Sequence, residues 1–258
     1  MNLFIAGCPR SGTTALTRLV NLHPDIVVGL ERFKGLYGKR RDFTPELFQR
    51  ERFFDYREGD TNFLPATSPE AAAFYGRADE KFDGAKFVGD KYPQFFRHYD
   101  QLFKQFPEAH VIFIFRDPQF VAQSWQRRSE DSTRWPAEND GRKAVGYWND
   151  ALAYTLAYKG IKRDSFTFVE YEEFFSTHTE GLFSLLRRIG ARLDRPIEAE
   201  IALAAAKEFA NSTTVLGQEL RLSKDVVRSV KHVADPNMHR RARRIAASDK
   251  TTILSSGD

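Results

Sequence analysis

Apolar positions along the chain fall into short unbroken runs that alternate with stretches of helical spacing. Leu3-Phe4-Ile5-Ala6-Gly7 is one such run; it ends in Gly-Cys-Pro-Arg-Ser-Gly, after which Leu16, Leu19, Val20 and Leu22 recur at helical intervals. That order predicts strand, glycine loop and helix. His23-Pro24 breaks the helix, and Ile26-Val27-Val28 opens a second strand that closes on Gly29-Leu30-Glu31. A third strand, residues 86–89, runs into Asp90-Lys91-Tyr92-Pro93, with a helix through Phe96, Tyr99, Leu102 and Phe103 behind it. Val111-Ile112-Phe113-Ile114-Phe115 is the most continuous run and stops abruptly at Arg116-Asp117-Pro118. Unalternating β-branched and aromatic residues suit a central strand buried on both faces. Pro118 then starts a helix through Val121, Ser124 and Trp125, a place proline favours. A helix over 144–158, a strand over 166–169 and helices over 174–189 and 198–210 follow. Strands alternating with helices predict an α/β fold of three layers, a central parallel sheet flanked by helices.

Residues 33–86 keep no steady period and mix aromatics such as Phe43, Phe48, Phe53, Phe63 and Tyr75 with charge, as helices and loops capping the sheet would. No repeat, low-complexity tract or linker divides the chain, so residues 1–258 read as a single domain with a loose tail over 247–258.

Composition narrows the chemistry. The one cysteine, Cys8, has no internal partner, and six scattered histidines offer no zinc spacing. A reducing, cytoplasmic setting is expected, and no run approaches the roughly 20 apolar residues that span a bilayer. With the sheet beginning at Leu3, neither a signal peptide nor a membrane stem is expected. Net charge is only +4. The basic run at residues 239–244 reads as a solvated helix face, without the interleaved aromatics of a nucleic-acid surface. No nucleic-acid partner is expected, and oligomeric state is not set.

The candidate chemistry begins at Gly7-Cys8-Pro9-Arg10-Ser11-Gly12-Thr13-Thr14, whose Gly-x4-Gly spacing between strand and helix suits an anion cradle of backbone N–H groups. A Walker loop continues with Lys and a magnesium-binding hydroxyl. Here Thr13 takes the Lys position, and the loop's cation is Arg10.

Pro9-Arg10-Ser11-Gly12-Thr13-Thr14 resembles the Pro-Lys/Arg-Ser-Gly-Thr-Thr loop of sulfotransferases that use 3′-phosphoadenylyl sulfate (PAPS) and release adenosine 3′,5′-bisphosphate (PAP). A second family element, a strand followed by Arg-Asn/Asp-Pro and a Ser eight residues after the Arg, is matched by residues 111–115, Arg116-Asp117-Pro118 and Ser124. Gly89-Asp90-Lys91-Tyr92-Pro93 and Val169-Glu170-Tyr171-Glu172 are similar to further segments of the carbohydrate-type and bacterial branch. The resemblance covers residues 1 to about 175 and implies a P-loop NTPase-like fold and PAPS-dependent sulfuryl transfer.

It also implies the roles. Arg10, Ser11, Gly12, Thr13 and Thr14 would hold the 5′-phosphosulfate, while Arg116 and Ser124 would hold the 3′-phosphate. Glu31 would be the base, with Lys91 adding charge beside it and no metal taking part. Plainer readings stand beside these: Glu31 as a strand-end carboxylate paired with Arg32 or Lys34, Lys91 as a solvated strand-end lysine, and Arg116 tied to Asp117 or Glu170. The Arg-Lys-Gly triplet of cytosolic sulfotransferases is absent, which leaves Arg221 or Lys224 for the C-terminal contact. A small molecule, glycan or lipid is the expected acceptor. Two other functions are compatible with an anion cradle. A P-loop kinase would need the missing Lys and a magnesium carboxylate such as Asp117, and a non-catalytic nucleotide-binding module would need no base.

Overall fold

Five apolar runs form one sheet in this computed structural model, which describes residues 1–39, 42–131, 135–216 and 219–254. In chain order the strands and α-helices are β1 Leu3–Gly7, α1 Thr13–Val20, β2 Ile26–Leu30, α2 Arg50–Phe54, α3 Pro69–Lys81, β3 Phe87–Lys91, α4 Tyr99–Gln105, β4 His110–Phe115, α5 Pro118–Asp131, α6 Gly141–Ile161, β5 Phe166–Glu170, α7 Tyr171–Ser176, α8 His178–Arg188, α9 Arg195–Leu216, α10 Lys224–Val233 and α11 Pro236–Leu254. All pairings are parallel, in the order β2-β3-β1-β4-β5. The chain builds outward from β1 to one edge and then crosses to the other side with β4. Such a reversal opens a crevice at the carboxyl ends of the strands.

The runs hide a period of two. Phe4, Ala6, Val111, Phe113 and Phe115 face one buried layer, packed with α4, α5, α6, α10 and α11. Leu3, Ile5, Ile112 and Ile114 face the other, packed with α1, α7, α8 and α9. Burial on both faces explains why alternation is invisible in the sequence. The sheet also packs tightly edge to edge: a Cβ on Gly89 would lie 1.8 Å from the Leu3 carbonyl oxygen, so β3 needs glycine there.

The segment over 33–86 is helical and looped, and its Phe43, Phe48, Phe53 and Tyr75 belong to the first layer. Phe48 meets Phe4 of β1 edge-on at 5.5 Å, and Phe33, Phe43 and Phe53 are fully or almost fully buried. Trp125 and Trp148 are likewise buried. At the other end the loose tail gives way to helix, since α11 runs to Leu254 and residues 255–258 lie outside the described ones. Asp249 ties that helix down by accepting from the Phe168 N–H at 3.1 Å and pairing with Arg188 at 3.0 Å. Ala242 and Ala246 give α11 a buried side, and the arginines of the 239–244 run are exposed, as a solvated face requires.

The turn after β2 hangs on one buried carboxylate. Asp90 of β3 accepts from the backbone N–H groups of Arg32 and Phe33, each at 3.0 Å, and of Lys91 at 2.8 Å, and from the Tyr37 hydroxyl. Arg32 turns away from the site; its guanidinium is fully buried, paired with Asp60 at 3.0 Å and donating to the carbonyls of Phe53 and Asp55. Asp90→Ala strands three buried donors, each worth about 1–3 kcal/mol when unmet. A loss of about 3 kcal/mol in urea unfolding is expected, with Asp90→Asn costing less because one acceptor oxygen survives.

Candidate active site

Every strand delivers its carboxyl end to one place. β1 leads into the glycine loop, β2 into Glu31, β3 ends on Lys91, β4 leads into Arg116 and β5 into Tyr171. The loop coils because Arg10 and Gly12 adopt positive φ, 76° and 90°, and the Ser11 N–H donates to the Cys8 carbonyl at 3.0 Å. A Cβ on Gly12 would stand 2.4 Å from the Tyr171 ring, so both conformation and space call for glycine. No side chain caps α1. Its first N–H groups therefore face the crevice as an anion site. Trp125 Nε1 donates to the Pro9 carbonyl at 2.9 Å and fastens the loop to α5.

A cleft of about 600 Å³ lies between loop and α5, lined by Arg10, Gly12, Thr13, Thr14, Arg116 and Ser124, together with residues further along α5 and Tyr171. Arg10 Nε donates to Ser124 Oγ at 3.0 Å. Arg116 is almost buried, its guanidinium between the rings of Tyr171 at 4.3 Å and Phe120 at 4.9 Å, with Nε 3.5 Å from Glu172. Neither carboxylate expected as its partner takes that place: Glu170 pairs with Arg243 at 2.8 Å, and Asp117 caps α5 by accepting from the Gln119 N–H at 2.8 Å. Burial pushes the Glu172 carboxyl up, against the opposing pull of its hydrogen bonds and Arg116. Loss of hydration against the loop, followed by the charges of Arg128 and Arg116, lowers Arg10. Like charges gathered in this way favour an anion between them.

Glu31 and Lys91 lie beside the cleft rather than in it. Lys91, only 1% exposed, donates from Nζ to Glu31 Oε1 at 3.0 Å and to Thr14 Oγ1 at 3.2 Å, and so is no solvated strand-end lysine. Lys34 reaches Glu31 Oε2 at 3.3 Å. The backbone doubles the link, since the Glu31 N–H donates to the Lys91 carbonyl at 2.8 Å, with Glu31 itself at the left-handed φ of 55°. A non-glycine residue held there marks a strained position. Burial raises the Glu31 carboxyl, but the charges of Lys91 and Lys34 and their hydrogen bonds outweigh it and hold the group below its ordinary range. The ring of Phe63, 36% exposed, stands 5.7 Å from Lys91 Nζ.

Six of the nine expected residues thus line one cleft, Lys91 bridges to Glu31, and Ser11 sits beneath the loop with its hydroxyl buried and without a partner. Neither Arg221 nor Lys224 lines the cleft, and Arg221 points outward to Glu219 at 3.2 Å. Phe120, Gln123, Arg127, Arg128 and Asp131 were not expected there. Their spacing from Ser124 is that of one helical face, a signal readable once Ser124 is placed on a helix. The features a kinase would need are missing: Thr13 brings no cation, and Asp117 is spent on the helix cap. Among the described residues no group of three His, Cys, Asp or Glu could hold a metal, and no helix is long and apolar enough to cross a membrane.

No curated protein sequence matches the chain. Among solved structures, the sulfotransferase domain from the curacin biosynthetic pathway is similar with a TM-score of 0.51 and 16% identity, over 95% of this chain and 96% of that one. The sulfotransferase STF1 from Mycobacterium tuberculosis H37Rv has a TM-score of 0.51 and 17% identity over 84% and 76%. STF9 from Mycobacterium avium has 0.50 and 16% over 89% and 75%. At such identities these likenesses speak for the fold alone. A model of the sulfotransferase family matches residues 2–195, three quarters of the length and every strand, and the chain belongs to that family.

Proposed function

We propose that the protein transfers a sulfuryl group from PAPS to a hydroxyl or amine of a small-molecule, glycan or lipid acceptor, with Glu31 as base and no metal. The junction at Thr14 supports this most: the residue lines the anion cleft, while its hydroxyl accepts from the lysine that holds Glu31. A donor held in that cleft would stand one residue away from Glu31.

The residues suit the nucleotide. The coiled loop, the uncapped start of α1 and Arg10 form a cradle for the 5′ end, with the unpartnered Ser11 hydroxyl beneath it. Arg116 and Ser124 converge from a strand end and a helix for the 3′-phosphate. When bound, the donor supplies an SO3 group on a phosphate leaving group, so negative charge grows on the phosphate oxygen. Arg10 meets that charge by forked hydrogen bonds and cannot lend a proton. Lys91, with three donors and an exchangeable proton, reaches the same point at Thr14. Glu31, ionised at neutral pH, takes the proton of the acceptor. Phe63, partly exposed above Lys91, would steer the acceptor's apolar part toward Lys91 and Glu31. One cysteine fits a reducing, cytoplasmic setting.

Glu31→Gln removes the base and almost no volume. Turnover with PAPS should fall by about 10²–10⁴-fold, while calorimetric affinity for PAP stays nearly unchanged; an active variant would remove Glu31 from the chemistry. The pH profile follows from the pairing. Only the carboxylate can accept a proton and its pKa is lowered, so kcat/KM should hold at neutral pH and fall as pH drops through a midpoint below the ordinary carboxylate range. Lys91→Ala removes the nearest opposing charge and should move that acid limb to higher pH. An unmoved limb would mean that another group sets it.

A further inference from the structure

Glu31 and Lys34 lie at the two ends of one turn. The Lys34 N–H donates to the Glu31 carbonyl at 3.2 Å, and Asp90 holds the N–H groups of the two residues between them, Arg32 and Phe33, whose side chains are fully buried. With those two turned inward, Lys34 is left beside the carboxylate. Its Nζ stands 3.3 Å from Glu31 Oε2 with the side chain 40% exposed, while the buried Lys91 takes Oε1. A second segment closes on the same turn: the Gly35 N–H donates to the Asp60 carbonyl at 3.1 Å, and a Cβ on Gly35 would lie 1.7 Å from the Gly59 carbonyl oxygen. That backbone contact sets the stretch that carries the partly exposed Phe63 over Lys91.

Two ammonium groups on one carboxylate leave positive charge in excess at Glu31. The neighbouring acids do not offset it, since Asp60 pairs with both Arg32 and Arg52, and Asp90 is buried against backbone donors and Tyr37. Lys91 spends a donor on Thr14. Lys34, among the described residues, pairs with Glu31, and an ammonium has three donors to give. We propose that Lys34 is a specificity-determining residue, selecting acceptors that carry an anionic group, a carboxylate or phosphate, within a few bonds of the hydroxyl to be sulfated. The hydroxyl then meets Glu31, the anion Lys34, and the apolar part of the acceptor Phe63. Such an anion also draws Lys34 away from Oε2. Because Lys34 is one of the two charges that hold the Glu31 carboxyl down, its withdrawal makes Glu31 a stronger base, help that a neutral acceptor does not bring.

This rests on the reading of Glu31 as the base of a PAPS-dependent transfer, and the measurement keeps the two apart. Calorimetric titration of the full chain with PAP comes first and tests the donor alone. The PAP-loaded chain is then titrated with acceptor pairs that differ in the anion: mandelate and mandelamide, methyl β-glucuronide and methyl β-glucoside, and hexanoyl lysophosphatidate and monohexanoylglycerol. Wild type should bind the anionic member of at least one pair about tenfold or more tightly, the scale of a charge-assisted contact, and the pair that shows this tells a hydroxy acid, a glycan and a lipid apart. Lys34→Ala should bring that pair within about twofold while PAP affinity holds, and Lys34→Arg should keep the preference. Lys39→Ala, which removes an exposed charge from the same segment, should keep it too. The assignment of Lys34 is overturned if wild type discriminates within no pair or binds none of them, if Lys34→Ala retains the preference, or if Lys39→Ala abolishes it equally. Absent PAP binding would sink the donor reading by itself, and the acceptor pairs are then judged on the unloaded chain by the same criteria.

Discussion

The site depends on a single buried carboxylate. Asp90 carries no part of the proposed chemistry, but its oxygens gather the N–H groups of Arg32, Phe33 and Lys91 and the Tyr37 hydroxyl. These bonds join the end of β3 to the turn after β2, and so determine where Glu31 stands relative to Lys91. Burial pushes Asp90 up to about 6 even though its donors and Lys91 pull the other way. Holding such a group in the core is costly, and the left-handed backbone at Glu31 is a further strain. Both are sustained by the surrounding aromatic layer and by Arg32, whose guanidinium lies 4.1 Å above the Tyr56 ring and staples the following segment to the turn.

Two electrostatic arrangements then sit side by side. In the cleft, arginines outnumber carboxylates. Beside it, Glu31 is already neutralised by two lysines. Lys91 belongs to both because one of its hydrogen bonds crosses to Thr14. An anion arriving at Thr14 competes with Glu31 for Lys91, and a weaker pairing leaves Glu31 a stronger base. Under the proposed function, donor binding and base strength would be coupled in this way through one ammonium.

The sequence made Arg10 and Arg116 of the cleft legible because each follows an apolar run that stops abruptly, at a strand end in a parallel sheet. Glu31 was legible for the same reason. Asp90 and Arg32 were not, since their meaning comes from partners far along the chain, and a charged residue next to a strand end reads as solvated until those partners are known. Arg116 shows the limit differently: two neighbouring acids looked like its partner, yet Asp117 is taken by the start of α5 and Glu170 by Arg243 of α11, which leaves Glu172.

What the sequence determined by itself was local and periodic: the strands, the helices that return between them, the glycine loop and hence the parallel α/β sheet with an anion cradle at its first turn. Backbone geometry and burial of apolar runs act over a few residues, so these features need no knowledge of the rest of the chain. The tertiary structure alone decided which charges meet. It brought Lys91 between Thr14 and Glu31, turned Arg128 rather than Arg221 toward the cleft, and made a packed helix of residues that read as a loose tail. Electrostatic pairing and loss of hydration depend on distances between segments far apart in sequence, and only the folded sheet sets those distances.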